Sequence, residues 1–204
     1  SSPDIERVLE TCGMVLLRGK ECREGSCTVS GSVRAWVVYL AEKESTPRRL
    51  ELTIPFSARM EHPSLTPQSE ICFSACLRSL DTRVVNPRKV SVRAGMSVQT
   101  SGWSAAELPY CSGADGEEAL QCRVESRRLT IPVAAGEKPF VVSDELELPD
   151  GQPPVRELLR WNAALEVTEA RLVGEKAVFK GSANVEVLYT TEQGTVEQWQ
   201  TSLP

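Results

Sequence analysis

His62 is the only imidazole in the chain, so a Ser-His-Asp or Cys-His relay would have to pass through it. Pro63 follows it directly in a polar stretch, and neither a nucleophile elbow nor any other nucleophile signature accompanies it. A general base needs placed partners. His62 therefore reads as an exposed loop residue, and no catalytic residue is assigned. The cysteines offer metal chemistry next: Cys12, Cys22, Cys27, Cys72, Cys76, Cys111 and Cys122. Three residues separate Cys72 from Cys76 and four separate Cys22 from Cys27, with no second well-spaced pair and no histidine to complete a tetrahedral set. No metal site is assigned. An odd set of seven leaves at least one thiol unpaired within a monomer, and several of these cysteines sit in apolar, strand-like runs. Both features fit buried reduced thiols and a reducing, cytoplasmic compartment.

Asp144, Glu145 and Glu147 lie close enough to suggest paired carboxylates, as glycoside hydrolysis requires. They alternate with Leu146 and Leu148, which is the pattern of a solvated strand face. No glycine-rich run opens a helix and no Walker-type lysine is present, so no cofactor is assigned. The four tryptophans are the remaining chemical resource, for stacking on sugar rings or as protein-contact anchors. Trp36 falls in the outward phase of its expected strand beside Arg34, and Trp199 falls in an expected edge strand. These three residues, Arg34, Trp36 and Trp199, form the candidate interaction surface.

The elements that position them recur. Residues 4–40 are matched by 154–190 without a gap. Ile5, Val8 and Leu9 fall on Val155, Leu158 and Leu159 in i, i+3, i+4 spacing, which predicts a short helix opening each copy. Ser2-Pro3-Asp4 and Pro153-Pro154 supply start signals at matching places. The clearest correspondence pairs Val29–Tyr39 with Phe179–Tyr189. Odd positions in both are apolar or glycine and most even ones polar, so each is a long strand with one buried face. Gly31 and Gly181 recur on that face, which implies a bend or a close backbone approach. A polar turn then leads to a strand ending Leu52-Thr53-Ile54-Pro55 in one copy and Thr201-Ser202-Leu203-Pro204 in the other.

Between the copies, Ile71–Leu77 and Val90–Val98 alternate about a turn at Asn86-Pro87, predicting a hairpin. Leu120-Cys122-Val124, Leu129-Ile131, Phe140-Val142 and Leu146-Leu148 read as further strands. The glycines and proline of residues 101–117 place the internal boundary there, giving a first repeat over 1–116 and a second over 117–204. The first lacks the opening strand that Phe140–Leu148 gives the second, and the second stops before the counterpart of Ile71–Val98. The expected class is mainly β, with tandem β-sandwich or open-barrel-like repeats each carrying one short helix. The unfinished second copy should expose a strand edge and recruit another strand. A formal charge of −5 with interspersed signs provides no basic stripe for nucleic acid, and no apolar run reaches the roughly 18 residues that membrane insertion by a helix needs.

The run Thr82–Ala94, with Arg88-Lys89-Val90-Ser91-Val92-Arg93-Ala94 at its end, resembles the R-K-[LV]-x-V-[RK]-A segment of the SPOCS domain. Val178-Phe179-Lys180-Gly181 through Val187-Leu188-Tyr189, ending Leu203-Pro204, is similar to that family's V-x-G-x-L…LY…(I/L)PF segment, and Phe140–Pro149 looks like the strand opening each of its copies. The resemblance covers nearly the whole chain and carries structural signatures, not catalytic ones. It implies a non-enzymatic module of spore-forming Firmicutes that works through protein contacts in spore-envelope (coat) assembly, on the mother-cell side of the forespore. Its partners would be other coat or morphogenetic proteins, or a second copy of itself. The family often carries a LysM module, which is absent here, so peptidoglycan contact would be made outside this chain. A module binding wall polysaccharide through its tryptophans is the competing expectation.

Overall fold

A computed structural model describes residues 3–104, 107, 109–113, 123, 125–131, 135–138 and 140–203. The described residues form eight strands and no helix. In order they are β1 (Ile5–Arg23), β2 (Ser26–Ala41), β3 (Arg48–Glu61), β4 (Glu70–Asn86), β5 (Lys89–Trp103), β6 (Val155–Val173), β7 (Lys176–Thr191) and β8 (Val196–Leu203). They make three antiparallel sheets ordered β1-β2-β3, β4-β5 and β6-β7-β8. The mainly β class and the hairpin about Asn86-Pro87 agree with the sequence. Asn86 pairs with Lys89 across a turn of Pro87 and Arg88.

The two short helices do not form. Ile5–Leu9 and Val155–Leu159 belong to the long strands β1 and β6. Register shifts between Ile5 and Arg7 and between Val8 and Glu10 explain the misleading period. A β-bulge adds one residue to a strand, so residues three apart, Ile5 and Val8, come to lie on one sheet face. The same shifts occur between Val155 and Glu157 and between Leu158 and Arg160. Bulged strands thus imitate i, i+3, i+4 spacing. Asp4 caps no helix: its carbonyl accepts from the Glu42 amide at 2.8 Å and its carboxylate pairs with Arg88 at 2.5 Å.

Every backbone pair between β1 and β2 has its counterpart between β6 and β7 at an offset of 150 residues, from Ile5↔Ala41 and Val155↔Thr191 to Arg23↔Ser26 and Val173↔Lys176. The third strands correspond after a turn one residue shorter, Val33↔Ile54 matching Ala183↔Leu203. Gly31 and Gly181 lie beside the third shared bulge. A Cβ at Gly31 would run into the Leu16 carbonyl and the Phe56 ring, and one at Gly181 into the Glu166 carbonyl, so the close approach expected from sequence is present at both.

The odd-numbered face of β2 is roofed by the β4–β5 hairpin. Thr11 Oγ1 donates to Thr82 Oγ1 at 2.8 Å, the Ile5 amide bonds the Pro87 carbonyl at 2.7 Å, and Ile71 packs with Cys27 and Val29. Lys20 ties this corner together. Its ammonium reaches the Ile71 carbonyl, pairs with Glu137 at 2.9 Å and stands 5.6 Å from the Phe73 ring centre. The Glu137 bond holds the ammonium above its ordinary pKa.

The even-numbered face of β2, expected to be wet, is buried along its C-terminal half. The start of β6 crosses it, and Trp36, only 2% exposed, meets Trp161 edge-on at 5.5 Å. Arg160 bridges Glu10 of β1 at 2.9 Å and Glu186 of β7 at 2.6 Å. A central strand covered on both faces loses the alternation that marks a half-buried one.

Two other expectations differ. Among the described residues Leu129–Ile131 and Phe140–Leu148 make no ladder pairs, and Phe140, Val141 and Val142 are exposed. Leu120-Cys122-Val124, the boundary at 116/117, Ser2 and Pro204 lie outside the described residues. No helix among the described residues is long and apolar enough to cross a membrane.

Candidate protein-docking face

Three rows of side chains cross the β6-β7-β8 sheet on one face: Trp161–Val187–Trp199, Ala163–Val185–Thr201 and Leu165–Ala183–Leu203. Residues paired directly across antiparallel strands point to the same side. Eight of these nine are apolar. The face closes at one end, where Tyr189 is fully buried and its hydroxyl donates to the Pro153 carbonyl at 3.2 Å. It opens toward the other, where Leu165 is 71% and Val167 62% exposed. Lining the same groove are Phe140, Val142 and Leu146 of the extended segment, with Met14, Lys138 and Asp144. The groove has a volume of about 550 Å³. Exposed apolar patches with a polar rim occur at protein contacts, membrane contacts and ligand grooves alike.

The corresponding rows of the first sheet are Thr11–Val37–Leu50, Gly13–Ala35–Leu52 and Val15–Val33–Ile54. Val33, Ala35 and Val37 are buried completely or nearly so.

The structure separates the three residues singled out by sequence. Trp199 is half-buried on β8, in the open face. Trp36 is inside, against Trp161. Arg34 lies on the same face of β2 as Trp36, with its Nε 3.3 Å from Glu51 Oε1. That distance suits an ion pair, but the alignment misses a hydrogen bond: Arg34 Nε, Ser32 Oγ and Trp36 Nε1 are successive buried donors without an acceptor among the described residues. Sequence reasoning missed Trp161, Leu165 and the groove-facing Phe140 and Val142. The signal was available, because Trp161 and Trp199 become cross-sheet neighbours once β6 is read as a strand.

The other chemical candidates do not converge. His62 Nδ1 accepts from the Ser64 amide at 3.2 Å in the loop between β3 and β4. No three metal-ligating side chains come together among the described residues. Cys22 and Cys27 face each other as a cross-strand pair, Sγ to Sγ 3.5 Å, at the β1–β2 tip. Burial first, then the hydrogen bond shared with Cys22, pushes the Cys27 thiol up to about 11. A thiol that holds its proton so firmly is a poor nucleophile and metal ligand at neutral pH.

No family model, no curated protein and no solved structure matches this chain.

Proposed function

We propose that the chain is a non-enzymatic assembly module built from two copies of one β-sandwich-like unit, and that it docks other proteins through the open face of β6-β7-β8. The observation that carries this reading is the groove of about 550 Å³ floored by Trp161, Ala163 and Leu165, on a sheet whose matched counterpart keeps the same face covered. The SPOCS-like segments at Arg88–Ala94 and Val178–Tyr189 support a role in the spore envelope, with coat or morphogenetic proteins as partners and the mother-cell cytoplasm as the compartment. Light scattering with pull-down from sporulating-cell extract tests it. The wild-type chain should retain a protein or self-associate, and Leu165→Asp should abolish that; a strictly monomeric chain that retains nothing would sink the proposal.

A second reading is favoured by one observation, that Trp161 and Trp199 share a row on the open face. Paired aromatic faces also stack on sugars. Under it the chain binds wall polysaccharide, and sedimentation with purified cortex should carry it into the pellet. Full recovery in the supernatant rejects that alternative.

A further inference from the structure

We infer that Cys22 and Cys27 form a redox modification site, at which a small-molecule disulfide closes a reversible cross-strand bond at the tip of the β1–β2 ribbon. The inference stands apart from the docking reading above. The two cysteines flank a tight turn: Arg23 pairs with Ser26 across Glu24 and Gly25, and Cys22 pairs with Cys27 one step further along the ladder. Gly25, at φ 71°, supplies a left-handed residue that such a turn needs. Directly opposed residues on antiparallel strands hold their Cα atoms about 4.5–5.5 Å apart. A disulfide spans about 4.4–6.8 Å, so the backbone is already in place. The sulfurs stand 3.5 Å apart, and bonding draws them together by only about 1.5 Å. Cys12, Cys72 and Cys76 instead face Trp36, Ser101 and Ser97 across their ladders. The third sheet carries Leu172 and Ala177 at the matching places, which confines this chemistry to the first.

Access sets the order in which the two thiols act. Cys22 is half-buried, whereas Cys27 is fully buried and packs with Val29 and Ile71. The Cys22 thiolate attacks one sulfur of the external disulfide, forming a mixed disulfide and releasing one small thiolate, which takes up the proton Cys22 gave. Cys27 then gives its proton to solvent and attacks the Cys22 sulfur, and the second small thiol leaves with a proton from solvent. The two cysteines together lose two electrons and two protons, and the external disulfide is reduced to two thiols. The first step prepares the second. Burial, the hydrogen bond shared with Cys22 and the Cys22 charge all favour the protonated Cys27, while the Lys20 ammonium favours its thiolate. A mixed disulfide at Cys22 carries neither that proton nor that charge. Two of the three opposing influences then vanish and Lys20 remains.

The full chain, equilibrated with mixtures of reduced and oxidised glutathione, acid-quenched and digested with trypsin, tests this. Cleavage after Lys20, Arg23 and Arg34 puts Cys22 in residues 21–23 and Cys27 in residues 24–34, so the bond appears as a joined pair of fragments. The folded chain should yield that pair, reversibly with dithiothreitol, at an equilibrium constant about tenfold or more above that of the same chain in urea. Cys22→Leu and Cys27→Ala install the third sheet's residues and are therefore compatible with the ribbon. Cys27→Ala should stop at a glutathione adduct on Cys22, and Cys22→Leu should leave Cys27 unmodified. A folded wild type that yields no joined pair, or that stops at the Cys22 adduct, overturns the inference. An equilibrium constant no greater than in urea overturns it as well, as does modification of Cys27 in Cys22→Leu as fast as that of Cys22 in the wild type. The folded-against-unfolded comparison uses the wild type alone, so it decides the matter even where a variant does not fold.

Discussion

Two sheets with one backbone pairing scheme stand in opposite environments. The first buries Val33, at 1% exposure, beneath β4–β5, while its counterpart Ala183 is only half-buried; at the edge strand, the half-buried Val15 has as its counterpart Leu165, at 71% exposure. What differs is the cover, not the sheet. Pairing register is set within the strands and their turns, whereas burial of a face depends on a further element. A three-stranded sheet with shared bulges can therefore persist with its apolar face open, and the open face is where binding energy remains to be gained.

The sharpest way to break the comparison is to place a charge on each sheet. Val33→Asp should cost more than about 4 kcal/mol, the range of an unpaired buried charge, and should abolish the folded far-UV and near-UV spectra. Leu165→Asp should change stability by no more than about 0.5 kcal/mol in chemical denaturation. Equal losses from the two would show that the faces are not differently covered.

Trp36 and Trp199 give the next contrast. Trp36→Ala removes a buried ring that packs on Trp161, and about 3–5 kcal/mol should be lost. Trp199→Ala should cost markedly less stability while weakening partner retention, and a denaturant titration beside a pull-down separates the two effects.

Gly31→Ala and Gly181→Ala sharpen the likeness. Both insert a Cβ against a neighbouring carbonyl, so each should destabilise by about 1–3 kcal/mol.

The smallest effect is a pH dependence confined to the first sheet. Cys22 and Cys27 have Leu172 and Ala177 as counterparts. The folded state holds the Cys27 proton more tightly than an unfolded chain, whose thiol titrates near 9.0. This contribution to stability is whole below pH 9 and is lost as pH rises through about 11. The thermal midpoint of the wild type should fall more steeply over that window than that of Cys27→Val. Parallel curves would remove Cys27 from the account.

Much of this was legible in the sequence. The alternation of Val29–Tyr39 and Phe179–Tyr189 gave both central strands, Asn86-Pro87 gave the hairpin turn, and the 150-residue offset anticipated the matched pairing of β1-β2 and β6-β7. Trp199 was placed in an edge strand, and β8 is one. Trp36 misled, since alternation reports only whether a strand has two different faces. It cannot say that a second sheet will cross the polar one. The bulges at Glu6 and Leu9 misled for a related reason: a local insertion converts a period of two into spacings that a helix also makes. The extended run Phe140–Leu148 has strand composition without a partner strand among the described residues, and composition alone does not supply one.

The turns that close the ribbons have a consequence in time. Arg23 pairs with Ser26 and Val173 with Lys176, each across two residues, with Gly25 and Gly174 in the left-handed region at φ 71° and 60°. Ribbons of this kind zip from the turn in about 1–10 μs, since they ask for no distant contact. Landing β4–β5 on the first sheet is the nonlocal and therefore slower event. During folding the odd-numbered face of the first sheet thus stays uncovered until that landing is made. For that interval the nascent molecule shows an apolar face that the finished one keeps covered.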